Sequence, residues 1–106
     1  MDGLNRGDIR WYTFKAPDKK RPVVILTRDS AIDYLGELTV APLTSTIRDI
    51  ASEVVLTPDD GVPESCAINL DHIQTVSKSN IGKLITTLKP EKLAELRAAI
   101  GFALGC

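Results

Sequence analysis

The chain has 106 residues, of which 43% are hydrophobic and 25% charged, and its net charge is −1. This length predicts a single domain over residues 1–106 with one modest core. No apolar run approaches the roughly 20 residues of a membrane helix. The near-neutral charge argues against capture of nucleic acid by a broad positive field, although it is compatible with a local basic patch.

The chain start and the cysteines indicate the compartment. The N-terminus lacks the basic and apolar regions of a signal peptide. Cys66 and Cys106 lack zinc-binding or C-x-x-C spacing. We therefore expect a cytoplasmic protein with free thiols, no metal site, no cofactor and no membrane contact.

The first half of the chain is predicted to form three strands. Ile9–Phe14 is rich in β-forming residues, and Pro22–Thr27 is an uninterrupted apolar run typical of a buried strand. Residues 28–36 form a connection with a short helical turn, and Leu38–Leu43 is the third strand. Pro42 has no N–H to donate, which places it at an edge, a bulge or the end of that strand. In the first strand Trp11 shares a face with Ile9, which predicts that Trp11 is in the core.

The second half begins with a short strand at Glu53–Leu56 and a longer one over Cys66–Val76. The alternation of apolar residues changes phase at Asp71-His72, which predicts a bulge or a strand end there. Residues 77–88 are predicted to be a loop or turn, with a candidate strand at residues 83–87.

The C-terminus is predicted to be a helix that begins at Pro90 and stops near Gly105. Its apolar stripe consists of Leu93, Leu96, Ile100 and Leu104. Five or more short strands and one terminal helix predict a mainly β fold, built as a small, strongly curved antiparallel sheet or barrel.

Polar side chains stand at the ends of two predicted strands and form the best candidate site. Arg21 enters the second strand, and Thr44 and Ser45 follow the third. A guanidinium offers a planar fork of donors and a hydroxyl adds another, so neighbouring strand ends would grip one phosphate. The alternative interpretation is a surface arginine beside an ordinary turn.

Basic residues surround this candidate site. Lys15, Lys19 and Lys20 precede Arg21 directly, and Arg48 lies near the second motif. Such a run is often only a solvated loop. As a functional patch it would hold the phosphates of a nucleic acid, with Lys19, Lys20 and Arg48 as the binding residues.

Four short segments, in this order, resemble motifs of the MazF/PemK/Kid family of bacterial toxins, and the terminal helix completes the match. The segments are Arg6–Trp11, Arg21–Leu26, Pro42–Ser45 and Asp71–Val76. The resemblance covers nearly the whole chain. It implies an SH3-like small barrel of the MazF/CcdB toxin type with a C-terminal α-helix, assembled as a homodimer.

The resemblance also implies an activity, which is metal-independent, sequence-selective cleavage of single-stranded RNA by an endoribonuclease toxin of a type II toxin-antitoxin system. The implied catalytic pair is Arg21 and Thr44, with Ser45 and Asp71 as further catalytic or RNA-contacting residues. The implied partner is a MazE-like antitoxin whose disordered C-terminal segment covers the groove. DNA would be reached only indirectly, through that antitoxin.

Two other functions compete with this one, and several residue roles stay open. A CcdB-like gyrase poison shares the fold but relies on a Trp-Gly-Ile tail, whereas this chain ends Ala103-Leu104-Gly105-Cys106. A non-catalytic SH3-like binding module would leave Arg21 and Thr44 unexplained as a pair. His72 is open as a general base, and Cys66 is expected to be a small buried hydrophobe.

Overall fold

A computed structural model describes residues 3–14 and 19–106 of the chain. The strands are β1 (Asp8–Phe14), β2 (Lys19–Ile25), β3 (Glu37–Thr44), β4 (Glu53–Leu56), β5 (Cys66–Asn69), β6 (Gln74–Ser77) and β7 (Ile81–Thr87). The helices are α1 (Asp29–Ile32) and α2 (Pro90–Leu104), and 3-10 turns lie at Pro58–Asp60, Leu70–His72 and Lys78–Asn80. The predicted mainly β fold with a C-terminal helix is confirmed. Among the described residues, no helix has the length and apolar character needed to cross a membrane.

The strands form one antiparallel sheet in the order β4-β5-β3-β2-β1-β7, and β6 also pairs with β3. The long strand β3 organises this sheet. On one edge it pairs with β2, and on the other it pairs first with β6 and then with β5. The sheet thereby forms a half-barrel of the kind predicted.

The predicted phase break separates β5 from β6. A 3-10 turn over Leu70–His72 ends β5, and the Asn69 side chain accepts a hydrogen bond from the Asp71 N–H at 3.0 Å. After the turn, the chain rejoins the same edge of β3 one strand segment further along. The turn therefore allows β5 and β6 to pair with successive parts of the same strand, β3.

The main core lies between the sheet and α2. Ile9, Val24, Ile68 and Leu96 are fully buried in it. A second cluster on the other face contains Tyr12, Val23, Val40 and Val76. Because both faces carry apolar clusters, the central strands read as continuous apolar runs.

The terminal helix follows its predicted boundaries. Pro90 occupies its first turn, and Gly105 ends it in the left-handed region with φ 73°. Leu96 and Ala99 are buried, whereas Leu104 is 62% exposed, so the prediction that Leu104 belongs to the buried stripe is wrong. The main core cluster reaches only as far as Ala103, and the last turn of the helix exposes Leu104.

Candidate active site

A groove of about 520 Å³ opens where β1, β2 and β3 meet the segment that leads into β5. Its lining combines an apolar floor with polar and charged side chains. The lining residues are Trp11, Lys20, Arg21, Pro22, Leu43, Thr44, Ser45, Val62, Pro63, Glu64, Ser65, Cys66 and Ile85. A concave, partly apolar surface with a few convergent polar groups is typical of a binding or catalytic site.

The strand register explains why Arg21 and Thr44 share this groove. In the β2–β3 ladder, Val23 pairs with Pro42. Val23–Pro42 is the last pair of that ladder, and two residues beyond it lie Arg21 on β2 and Thr44 on β3, which both line the groove. The structure thus brings Arg21, Thr44 and Ser45 to one groove, while their chemical roles stay predictions.

The donors of Arg21 and Thr44 are free to meet a ligand. Arg21 is exposed, and its side chain makes no hydrogen bond or ion pair with any residue that the structure describes. The Thr44 Oγ1 accepts a hydrogen bond from the Thr46 backbone N–H at 3.1 Å. Because that contact uses the oxygen as an acceptor, it fixes the hydroxyl group and leaves its proton available to donate.

The other charged groups of the groove wall are Lys20 and Glu64. Lys20 and Arg21 supply positive charge on β2, and Glu64 supplies a carboxylate from the segment before β5. The described part of the groove wall is therefore locally basic with Glu64 as its acidic side chain, although the whole chain is slightly acidic.

Cys66 lies half-buried in the groove wall, which is more open than the buried position expected from the sequence. Burial raises the pKa of the Cys66 thiol, and the nearby carboxylates of Asp60 and Glu64 raise it further. The thiol is therefore neutral at physiological pH and a weak nucleophile.

The prediction that Trp11 is in the core is wrong. Trp11 is 37% exposed and lines the groove, whereas Tyr12 is 6% exposed and packs edge-on against Phe14 with ring centroids 4.6 Å apart. Trp11 lies opposite Pro22 in the β1–β2 ladder, beyond the core pair Ile9 and Val24. The core thus ends before it reaches Trp11, which leaves an indole face in the groove.

Two predicted site residues lie outside the groove lining. The Asp71 carboxylate accepts a hydrogen bond from the Ser52 hydroxyl at 2.6 Å. The Arg48 Nε donates to the Glu53 carboxylate at 2.9 Å. Neither residue is among those that line the groove, and the same holds for the exposed His72.

The basic segment before Arg21 is described in part. Lys15 lies outside the described residues, as do residues 16–18. Lys19 is the first residue of β2, and Lys20 lines the groove beside Arg21. In the described part of the chain, no three His, Cys, Asp or Glu residues are placed to hold a metal ion.

A family model described as "PemK-like, MazF-like toxin of type II toxin-antitoxin system" matches residues 5–104. The chain belongs to this toxin family. The match includes all four sequence motifs and the terminal helix, and it confirms the resemblance inferred from them. The gyrase-poison and binding-module alternatives are not favoured.

Individual MazF proteins show the same relationship. The chain is 39% identical over 102 residues to "Probable endoribonuclease MazF5" of Mycobacterium tuberculosis strain H37Rv, covering 95% of this chain and 93% of the relative. It is also similar to the structure of "Mycobacterium tuberculosis toxin MazF-mt6", with TM-score 0.84, 34% identity and coverage of 92% and 96%. A structure of MazE-MazF (Form-II) from Deinococcus radiodurans matches with TM-score 0.79, 25% identity and coverage of 96% and 95%.

Some groove residues had no distinguishing signal in the sequence. Glu64 and Ser65 stand in a polar stretch that reads as a solvated turn. Trp11 stands in a strand pattern that favours burial. In this MazF-like chain, tertiary closure of the sheet brings these side chains to the groove. No residue spacing in the sequence predicts that position.

Proposed function

We propose that this MazF-like toxin is an endoribonuclease that cleaves single-stranded RNA, without a metal ion and with sequence selectivity, in the groove that contains Arg21 and Thr44. The observation that carries the proposal is that Arg21 and Thr44, each two residues beyond the Val23–Pro42 pair on neighbouring strands, line one groove with their side-chain donors free. The curated relative from M. tuberculosis is named as a probable endoribonuclease, which supports the reaction class.

The reaction needs attack by a ribose 2′-hydroxyl on the adjacent phosphorus. Negative charge then grows on the non-bridging oxygens, and fixed donors lower the barrier by stabilising it. Arg21 provides a bidentate fork for these oxygens. Thr44 donates its hydroxyl proton to the same phosphate, and Ser45 provides a second hydroxyl. The products are a 2′,3′-cyclic phosphate and a 5′-hydroxyl end.

Other groove residues hold the rest of the RNA strand. Lys20, together with Lys19 at the start of β2, contacts phosphates next to the scissile one. Trp11 offers an exposed indole on which a splayed base stacks. Asp71 and Arg48 lie outside the groove, so we give them no part in the scissile step, and their RNA contacts stay predictions.

The biological unit includes further chains. We infer a homodimer and a MazE-like antitoxin that covers the groove, in keeping with the MazE-MazF structure from D. radiodurans. The antitoxin tail that covers the groove would be disordered when free. It would be acidic, because the groove presents Lys20 and Arg21. DNA is then reached only through the antitoxin, and the toxin acts in the cytoplasm.

Incubation of purified protein with a mixed RNA in excess EDTA tests this function. We expect discrete fragments with 2′,3′-cyclic phosphate and 5′-hydroxyl ends. Cleavage that the chelator abolishes would contradict the metal-independent mechanism, and intact RNA with or without added divalent cation would contradict the nuclease assignment.

A further inference from the structure

We propose that Glu64 is the general base that takes the proton from the attacking 2′-hydroxyl. This inference rests on the proposed RNA cleavage and deepens it. A hydroxyl becomes a competent nucleophile when a positioned side chain accepts its proton in the transition state. Arg21 does not fill this role, because a guanidinium stays protonated at neutral pH.

Among the described residues that line the groove, four carry ionisable side chains: Lys20, Arg21, Glu64 and Cys66. The ammonium of Lys20 and the guanidinium of Arg21 carry donors and have no acceptor atom to offer. Burial and neighbouring carboxylates hold the pKa of Cys66 above its ordinary value, so its thiol stays protonated. The remaining group is Glu64, whose carboxyl oxygens are the proton acceptors among these four side chains.

Asp71, the acid predicted from the sequence, is placed less well for this step. Its carboxylate already accepts a hydrogen bond from the Ser52 hydroxyl at 2.6 Å, and Asp71 lies outside the groove lining. Glu64, by contrast, is exposed and makes no hydrogen bond or ion pair within the described part of the chain. Both of its oxygens are therefore open to a substrate proton.

The segment that carries Glu64 is anchored on both sides. On its N-terminal side, the Thr86 hydroxyl of β7 donates to the Asp60 carbonyl at 3.2 Å, and Val62 is buried in the main core. On its C-terminal side, β5 begins at Cys66. A base must be held near its productive position to act efficiently, and anchors two residues away on each side restrict where Glu64 goes.

Gly61 makes the turn that sends this segment back towards the groove. It has φ 99°, and a Cβ at this position would overlap the Thr86 side chain. The turn therefore packs directly against β7, which also supplies Ile85 to the groove lining.

In the proposed step, a Glu64 oxygen accepts the 2′-hydroxyl proton while the 2′-oxygen forms its bond to phosphorus. The bond between phosphorus and the 5′-oxygen breaks, and the leaving oxygen takes a proton from solvent water. Arg21 and Thr44 stabilise the non-bridging oxygens throughout. Glu64 then returns its proton to water, which restores the starting state.

The test compares Glu64→Gln with a matched control, Asp59→Asn, which removes an exposed carboxylate from the neighbouring turn outside the groove. Single-turnover cleavage, RNA affinity on a non-cleavable 2′-deoxy strand and a circular-dichroism melt are measured for each. We expect Glu64→Gln to lose about 10²- to 10⁴-fold in rate, the usual contribution of a general base. Its RNA affinity and melting curve should match those of the control.

The pH profile separates a base from a merely structural side chain. Among the described residues, the charged or titratable groups that line the groove with Glu64 are Lys20 and Arg21 of β2 and Cys66 of β5, and Asp60 of the preceding turn lies close to Cys66. A carboxylate general base such as Glu64 must be deprotonated to act, so the wild-type rate should fall about tenfold for each pH unit on the acid side of the profile. Glu64→Gln should lose that acid limb, and Asp59→Asn should keep it.

Three results would overturn the inference. They are a Glu64→Gln rate within about threefold of wild type, a rate loss with the acid limb retained, and a rate loss matched by an equal loss of RNA affinity. If the wild type and the control both fail to cleave RNA, the proposed function fails instead.

Discussion

Asp8 and Arg10 form a buried ion pair at the chain start, with relative exposures of 2% and 7%. The Arg10 Nε lies 3.4 Å from an Asp8 carboxylate oxygen. Asp8 also accepts hydrogen bonds from the Asn5 backbone N–H and the Thr87 hydroxyl, both at 3.0 Å. A side-chain pair within one motif therefore ties β1 to β7.

We expect Arg10→Met to lower the free energy of unfolding by about 3–5 kcal/mol, because it leaves the Asp8 charge buried and unpaired. Urea denaturation measures the change. Arg97→Met on the exposed face of α2 is the control and should change stability by less than about 0.5 kcal/mol. Equal stability of the two variants would show that the pair does not hold the sheet together.

The sequence allowed prediction of some groove residues and not of others. Thr44 ends β3 as its apolar run predicts, whereas Arg21, expected at the entry of its strand, is the third residue of β2, because β2 begins at Lys19. Trp11 was placed on the right face but in the wrong environment, because the length of the core along a strand depends on packing. Glu64 was missed, since its segment has no periodicity and is held beside the groove by tertiary contacts such as the Thr86–Asp60 hydrogen bond and the burial of Val62.

At the scale of elements, the connection between β3 and β4 is organised by Glu53. The Glu53 carboxylate accepts the Arg48 and Asp49 backbone N–H groups at 2.9 and 3.2 Å, as well as the Arg48 Nε. Burial by itself raises the pKa of Glu53, but the hydrogen bonds and charge of Arg48 and the Asp49 hydrogen bond outweigh it. The pKa is therefore lowered below its ordinary value.

This shift makes stability depend on pH. Because the folded pKa is below the unfolded one, the stabilisation is present above the ordinary carboxyl value of about 4.3 and is lost as pH falls below it. We expect Glu53→Gln to lower the unfolding free energy by about 1–3 kcal/mol at pH 7. Urea unfolding across pH should show a smaller acid loss for this variant than for wild type. If the unfolding free energy of Glu53→Gln fell with acid as much as that of wild type, the role of Glu53 would be contradicted.

Element boundaries were predicted where side-chain chemistry marks them. Pro90 and Gly105 bound α2, and the phase change at Asp71-His72 separates β5 from β6. Strand β7 was only a candidate over residues 83–87, and in the structure it begins at Ile81. Its pairing with β1 contains register shifts, so strict alternation gave no clear signal.

For the whole molecule, the charge balance restricts how RNA is held. A net charge of −1 gives no broad attraction, so Lys19, Lys20 and Arg21 must act locally. We expect Lys19→Ala with Lys20→Ala to weaken RNA binding and to reduce the log–log salt slope by about 0.7 for each lost phosphate contact. The cleaved sequence should stay the same, because phosphate contacts position the strand.

Binding titrations over a series of salt concentrations measure that slope. Lys89→Ala, an exposed lysine outside the groove, is the control and should leave it unchanged. If the double variant kept the wild-type salt slope of RNA binding, this basic segment would not be part of the RNA-binding surface.

The central claim is that the groove containing Arg21 and Thr44 is the catalytic site, and single-turnover cleavage of RNA by Arg21→Ala tests it most directly. We expect a loss of about 10²-fold or more in rate with folding retained, since the main donor to the developing charge is removed. Arg21→Lys should recover little, because a point charge does not reproduce a bidentate fork. Cleavage by folded Arg21→Ala at close to the wild-type rate would contradict the account.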